Sequence, residues 1–219
     1  MTTTGATPQA GAARAGGYAR GRRKREQILQ AAITLFGEAG FHGTSLRDIA
    51  GAAGISHPGL LHHFPTKAAV LEALLEHRDA VDEADLEADR ERGTDLFTAL
   101  VHLMERNALR PAIVDLYTSV AAEATSADHP AHAYFERRYA RTVALIVDEL
   151  AARRDAGELV PGLDLETTAR SLVAIMDGMQ LQWLLARDLP RAQRPDMAAT
   201  LGAYLDLILV TPPQDAPAP

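Results

Sequence analysis

Residues 44–67 read TSLRDIAGAAGISHPGLLHHFPTK. The stretch predicts two short helices joined by a glycine turn, with a third helix starting at its end. Ser45 and Asp48, three apart, make a capping box. Leu46, Ile49, Ala50 and Ala53 recur at i, i+3, i+4 and i+7, which gives one apolar helix face. Gly54 stands where a left-handed, helix-ending residue costs least, and Ile55 can fold back onto that face. Ser56 caps the second helix, and Pro58 falls in its first turn, where a missing N–H matters little. Leu60 and Phe64 share a face four residues apart, so Pro58, Gly59, Leu61 and His62 point elsewhere. Pro65 stops that helix, and Thr66 caps the next. One buried face against one small or exposed face is what the recognition helix of a helix-turn-helix unit requires. Lys67 then falls in a first turn, an end of the helix that a cation normally avoids. With the free N–H groups beside it, Lys67 reads as a phosphate-binding corner. The bland alternative, a helical hairpin with a solvated lysine, leaves the full set of caps unexplained.

Working outward, residues 23–39 predict a helix with Ile28, Ala31, Ala32, Leu35 and Phe36 on one face. Gly40 suits the position just past its end, and Phe41 can pack back on Phe36. This helix supplies the third wall of a small core under Leu46, Ile49, Ile55 and Leu60. Residues 1–20 hold little to bury and read as a disordered tail. The basic cluster of Arg20, Arg22, Arg23, Lys24 and Arg25 is either an arm that touches phosphates or a minor groove, or a solvated helix start.

Residues 39–67 resemble the DNA-binding domain of the TetR family of bacterial transcriptional regulators. The resemblance is carried by Gly40-Phe41, Thr44-Ser45, Ile49-Ala50, Ala53-Gly54-Ile55-Ser56, Leu60, His63-Phe64 and Lys67, and it extends back to about Arg23. It implies that Arg47 meets the major groove, where Arg pairs bidentately with guanine. It places His57, Gly59 and His62 toward base edges, and Ser45, His63, Thr66 and Lys67 toward phosphates. Leu61 departs from the family, which usually has Tyr there; Leu keeps the size but lacks the hydroxyl, so it meets a thymine methyl or contributes nothing. With Gly59 bare, direct readout rests on few groups, and DNA shape fills in.

The whole chain of 219 residues is long enough to bury a real core, and 47% hydrophobic with 23% charged residues is ordinary for a globular protein. It has no cysteine, which excludes disulfides, cysteine–zinc fingers and thiol catalysis. No apolar run approaches the ~20 residues that cross a bilayer, and no signal-peptide core is present, so a cytoplasmic location is expected. The net charge of −7 at first argues against a nucleic-acid partner. Its distribution reverses that: residues 1–67 hold eight Lys/Arg against three acids, and the remainder fourteen against twenty-six. A basic end on an acidic body turns that end toward a polyanion.

Beyond the unit, helical spacing predicts six more helices, at about 67–90, 95–108, 111–125, 129–156, 165–187 and 194–210. The TPPQDAPAP tail, 211–219, reads as disordered. No strand candidate survives, so the fold is all-α with nine helices: a disordered 1–20, a three-helix DNA-binding domain at 21–67, and a ligand-binding and dimerisation domain at 68–210. The fourth helix links the two halves and turns acidic after Asp79. Asp128 is read as the cap of the seventh helix.

The eighth helix is apolar almost all round, through Leu172, Ile175, Met176, Met179 and Trp183 among others, and so is buried on more than one side. The resemblance implies that the last two helices, 165–187 and 194–210, pair with their copies in a homodimer. It also implies that the inner faces of the second domain line a cavity for a small-molecule effector. Candidates are Phe97, Leu100 and Met104 on the fifth helix, Tyr117 and Glu123 on the sixth, and Met176, Met179, Gln180 and Trp183 on the eighth; each reads equally as core. A twofold dimer sets recognition helices about one DNA turn (~34 Å) apart and demands a near-palindromic duplex operator.

His57, His62 and His63 lack ligand spacing and a nearby carboxylate, and His129 and His132 read as exposed residues around a helix cap, so no metal is implied. No cofactor motif or nucleophile–base pair appears, so an enzyme is not expected. The rival reading as a helical enzyme requires paired polar groups around Tyr117, Glu123 and Trp183; a protein-interaction adaptor is a third. The sequence reads as a homodimeric DNA-binding regulator, a repressor released by an unidentified small molecule. The operator, the regulated genes, and repression against activation are not in the sequence.

Overall fold

The computed structural model describes the backbone of residues 9–210 and, Arg191 aside, the side chains of residues 20–210. Among these residues the chain forms nine α-helices and no strand. They are α1 Gln9–Gly43, α2 Leu46–Ala52, α3 His57–His63, α4 Lys67–Glu91, α5 Leu96–Ala108, α6 Pro111–Glu123, α7 His132–Asp155, α8 Leu165–Leu185 and α9 Met197–Ile208. A 3-10 turn, Arg191–Gln193, precedes α9. A bridge between Leu159 and Leu209 pins the loop after α7 to the end of α9.

The caps explain most boundaries. Ser45 accepts the Asp48 N–H at 3.2 Å while the Asp48 carboxylate accepts the Ser45 N–H at 3.0 Å, completing the box. Ser56 accepts from the Gly59 N–H, Thr66 from the Ala69 N–H, and Asp164 and Asp196 cap α8 and α9 in the same way. Such caps are worth about 1 kcal/mol each. Gly54 has φ of +63°, and the Ile55 N–H bonds back to the Ala50 carbonyl at 3.0 Å.

Two boundaries differ from the sequence reading. The first helix starts at Gln9, not near residue 23, so residues 9–20 of the expected disordered tail are helical. Their Ala, Arg and Gln are strong helix formers, and a reading based on the lack of apolar side chains misses that. Residues 1–8 and 211–219, the remainder of both expected tails, lie outside the described residues. Asp128 does not cap α7, which starts at His132 behind Ala131 with no side-chain cap. The Asp128 carboxylate turns back to the Ser126 hydroxyl instead, and His129, one residue before Pro130, is disfavoured in helical backbone.

Two clusters of buried side chains share the interior. One joins α1, α2, α3, the first half of α4, α6 and the start of α7 around Phe36, Ile49, Leu60, Leu74 and Leu116; the other joins α5, α7, α8 and α9 around Phe97, Met104, Ile146, Leu172 and Leu201. The α1 helix is the third wall of the small core, as expected, and it is also packed along α6. The backbones approach closely there: a Cβ on Gly37 meets the Leu116 nitrogen at 3.2 Å. Tyr139 touches both clusters.

Candidate functional site

The α2–α3 unit buries one face and leaves the other open. Ile49 and Leu60 are fully buried and Phe64 nearly so, whereas Arg47, Pro58 and His62 are exposed and Leu61 is 39% exposed. His57, Gly59 and His63 are half-buried at the same surface. Ser45 and Thr66 have their hydroxyls in the caps of α2 and α4. The basic cluster at residues 20–25 continues along α1, where Arg25 lies over the Phe64 ring at 4.3 Å.

Lys67 departs from the expected phosphate corner. Its Nζ donates to the carbonyl of Phe41 at 2.6 Å and to that of Thr44 at 2.7 Å, and it sits 4.3 Å from the centre of the Phe41 ring. A cation at the start of α4 is tolerated because these carbonyls stand at the negative end of α1. The ammonium thus ties the helix-turn-helix to α4, which the side chain's place in a first turn does not reveal.

Glu123 also lies away from its expected place. At the end of α6 its Oε2 accepts the Phe41 N–H at 2.9 Å. The backbone breaks at Gly40, with φ of +70°, and a Cβ there meets Glu123 Oε1 at 2.0 Å. Only glycine allows that approach. His129, read as exposed, is buried: its ring stacks edge-on against Phe41, and its Nε2 faces Glu123 Oε2 at 3.5 Å. Burial lowers the His129 pKa, and the Glu123 carboxylate opposes that shift.

Donor atoms of His42, Glu123 and His129 come within 4.8 Å of one another. The Ala131 N–H, however, donates to His129 Nδ1 at 3.2 Å. A neutral ring then carries its proton on Nε2, which suits a carboxylate partner rather than a metal ion. His132 belongs elsewhere, with Nδ1 2.8 Å from the Ala124 carbonyl.

The remaining candidates separate into three groups. Met104, Tyr117, Met176 and Gln180 line an inner cavity of about 30 Å³ between α4, α5, α6, α7 and α8. Trp183, with Met104 again, lines an outer groove of about 580 Å³ toward the start of α9. Phe97, Leu100 and Met179 are buried in the second cluster and line neither. Tyr117 and Trp183 thus line different spaces, and Glu123 is bonded to Phe41.

The inner cavity has polar walls of which the sequence reading selected only Tyr117 and Gln180. Arg78 (5% exposed), Asn107 (2%) and Gln180 (4%) line it, with Arg138, Tyr139 and Asp177. The Arg78 guanidinium lies 4.0 Å from the centre of the Tyr117 ring, and its Nη2 is 3.2 Å from Asp82. Arg138 pairs with Asp79 and donates from Nε to the Tyr117 hydroxyl at 3.1 Å. The Tyr139 hydroxyl donates to Asp177 at 2.7 Å, and burial pushes both of those pKa values up. A signal for Arg78 was present: the α4 stripe of Leu71, Leu74 and Leu75 runs straight into it at i+7 from Leu71, as the α5 stripe runs from Leu100 into Asn107.

The acidic half of α4 is clamped by arginines. Arg106 bonds Asp89 at 3.0 Å, Arg110 bonds Asp85 at 2.5 Å, and Arg92 bonds Asp89 at 2.5 Å. Asp89 is buried, while its arginine partners and the Arg110–Asp85 pair keep contact with solvent. Among the described residues, no helix is long and apolar enough to cross a membrane.

Residues 28–74 match the family model described as bacterial regulatory proteins, tetR family, and residues 89–210 match the model for the C-terminal region of BetI-type transcriptional repressors. The chain is 31% identical over 156 residues to the HTH-type transcriptional repressor KstR2 of Mycobacterium tuberculosis, covering 67% of this chain and 74% of that one. Its fold is similar to that of a TetR-family regulator from Rhodococcus sp., at 25% identity and a TM-score of 0.66, covering 85% and 98% of the two chains. It is similar also to Thermus thermophilus FadR, a TetR-family repressor solved with lauroyl-CoA, at 28% identity and a TM-score of 0.54, covering 89% and 98%. With one model spanning more than half of the sequence and the other covering the helix-turn-helix, the chain belongs to the TetR family of DNA-binding transcriptional regulators.

Proposed function

We propose that this protein is a homodimeric repressor that binds a near-palindromic DNA operator and is released by a small molecule held in the second half of the chain. Residues 21–67 form the DNA-binding unit and residues 68–210 the ligand-binding and dimerisation unit, and the protein acts in the cytoplasm. One observation carries the reading. Arg78 of α4 stands in the wall of the inner cavity, and Lys67, at the start of the same helix, holds the carbonyls of Phe41 and Thr44. A ligand that moves Arg78 therefore tilts the recognition helix. It shifts operator affinity only by its difference in affinity for the two states.

On DNA, Arg47 reads guanine, and His57, Gly59, Leu61 and His62 face base edges. Ser45, His63 and Thr66 lie along phosphates, with the basic residues of α1 adding charge. Lys67 positions α3 from behind. The dimer forms through α8 and α9, a reading supported by Leu185 and Leu207, which are 79% and 73% exposed on those helices. Leu181, at 49%, extends the same apolar face. That the similar FadR was solved in complex with lauroyl-CoA supports a small-molecule effector.

Selection of bound duplexes from random DNA, followed by competition with metabolite extracts, tests the proposal. The expected result is an enriched sequence with twofold symmetry that an extract fraction releases. Enrichment of no sequence, even at low salt, overturns it.

A further inference from the structure

The inner cavity is built to bind something with oxygen acceptors. Arg78 is almost fully buried, yet its Nε and Nη1 have no hydrogen-bond partner. Its Nη1 stands 3.5 Å from Asp79, whose carboxylate is taken up by Arg138 and Arg141. The buried carboxamides of Asn107 and Gln180 line the same cavity. A buried polar group without a partner is costly. The unpartnered nitrogens of Arg78 on α4, beside the buried carboxamides of Asn107 on α5 and Gln180 on α8, therefore call for oxygen acceptors from outside the chain.

Size and charge narrow its chemistry. At about 30 Å³, and with ~10–15 Å³ needed for each water centre, the cavity holds about two waters, close to the bulk of a carboxylate or an ester group. A cationic head is disfavoured, because it faces the guanidinium groups of Arg78 and Arg138. Asp82 and Asp79 are already paired with arginines, and burial drives the Asp177 carboxyl toward its neutral form. Met104 lines both this cavity and the outer groove, where Leu109, Trp183 and Met197 give an apolar wall. The Met104 side chain is the wall between polar pocket and apolar groove, and its unbranched thioether can turn aside to join them.

We propose that the cavity takes the oxygen head of an amphipathic ligand, a carboxylate or an ester-type carbonyl, with its apolar tail passing Met104 to Trp183. The inference rests on the effector reading above, and it names the class of effector. Arg78 donates from Nε and Nη1 to the head, and Asn107 and Gln180 complete its hydrogen bonds.

Trp183 is the single tryptophan of the chain, so its fluorescence reports the tail. The test titrates the full-length protein, below micelle-forming concentrations, with decanoate, methyl decanoate and decyltrimethylammonium. Saturable change is expected with decanoate or methyl decanoate and not with the cation. Asn107→Leu and Gln180→Leu should weaken the response tenfold or more in proteins that thermal melts show to be folded. Decanoate separates from methyl decanoate according to whether the head is an anion or a neutral carbonyl. Equal binding of the cation, unchanged binding in both variants, or no saturation with any probe overturns the proposal. The effector reading is judged separately. A metabolite fraction free of oxygen-headed amphiphiles that releases the operator sinks the ligand class alone; probes that bind through Asn107 and Gln180 yet leave the operator occupied sink the effector role alone.

Discussion

The Glu123 carboxylate accepts the backbone N–H of Phe41 at 2.9 Å, joining the end of α6 to the chain just past the break in α1. Residues far apart in sequence are thereby locked at the base of the helix-turn-helix. Glu123→Ala strands the Phe41 N–H and leaves His129 without its acid. It should cost about 1–3 kcal/mol in urea unfolding. Glu123→Gln keeps an acceptor and should cost less; equal losses would deny the hydrogen bond its role.

Gly40 should tolerate no side chain. With φ of +70° and Glu123 Oε1 at 2.0 Å from an added Cβ, Gly40→Ala is strained twice. A loss of about 1–3 kcal/mol is expected from the backbone conformation alone. The pair Gly40→Ala with Glu123→Ala should lose less than the two singles together, since the clash is gone. Simple additivity in a double-mutant cycle would contradict the contact.

Acid should loosen this joint first. Burial lowers the folded-state pKa of His129 below its ordinary 6.5, so the unfolded chain takes up more protons there as pH falls. The contribution of His129 is therefore constant above about pH 6.5 and is lost as pH drops through the window between 6.5 and the lower folded value. Urea midpoints at about pH 8 and pH 5 should show this fall, and His129→Gln should make it shallower. An unchanged pH profile in that variant would assign the acid sensitivity to other groups.

Arg47 and Lys67 should fail differently. Arg47→Ala leaves a folded protein with the wild-type Tm, weaker on its operator by about 1–3 kcal/mol and less selective. Lys67→Met removes charge-assisted bonds to Phe41 and Thr44, so a stability loss of about 1.5–3 kcal/mol is expected. Titrations on operator and on unrelated duplex, beside thermal melts, separate the two. A Lys67→Met protein with normal Tm and a flattened salt dependence would return that lysine to the phosphate corner.

The exposed leucines of α8 and α9 should hold the dimer. Leu185→Lys with Leu207→Lys should give a folded monomer by sedimentation at concentrations where the wild type is paired. A variant that remains a dimer would place the interface elsewhere.

The sequence made the DNA-reading half legible because its caps, glycine turn and apolar faces are local, and local chemistry survives without tertiary context. Ser45, Gly54, Ser56 and Thr66 were readable for that reason. Of the candidates in the second half, Met104, Tyr117, Met176 and Gln180 line the inner cavity, and Phe97, Leu100 and Met179 are buried in the second cluster. Periodicity finds the buried stripe and says nothing of which buried side chain faces a void. Arg78 and Asn107, which end the apolar stripes of α4 and α5, were passed over, although Gln180, an amide on the α8 stripe, was selected. Glu123, Lys67 and His129 were misplaced since their partners, Phe41 and Thr44, lie far off in the chain.

The most direct test of the whole account is the stoichiometry of the complex with a selected operator, measured by sedimentation together with affinity for its isolated half-site. The account predicts two chains on the symmetric duplex and binding to the half-site at least a hundredfold weaker, with Arg47→Ala weakening both. One chain per duplex with equal affinity for the half-site would contradict it.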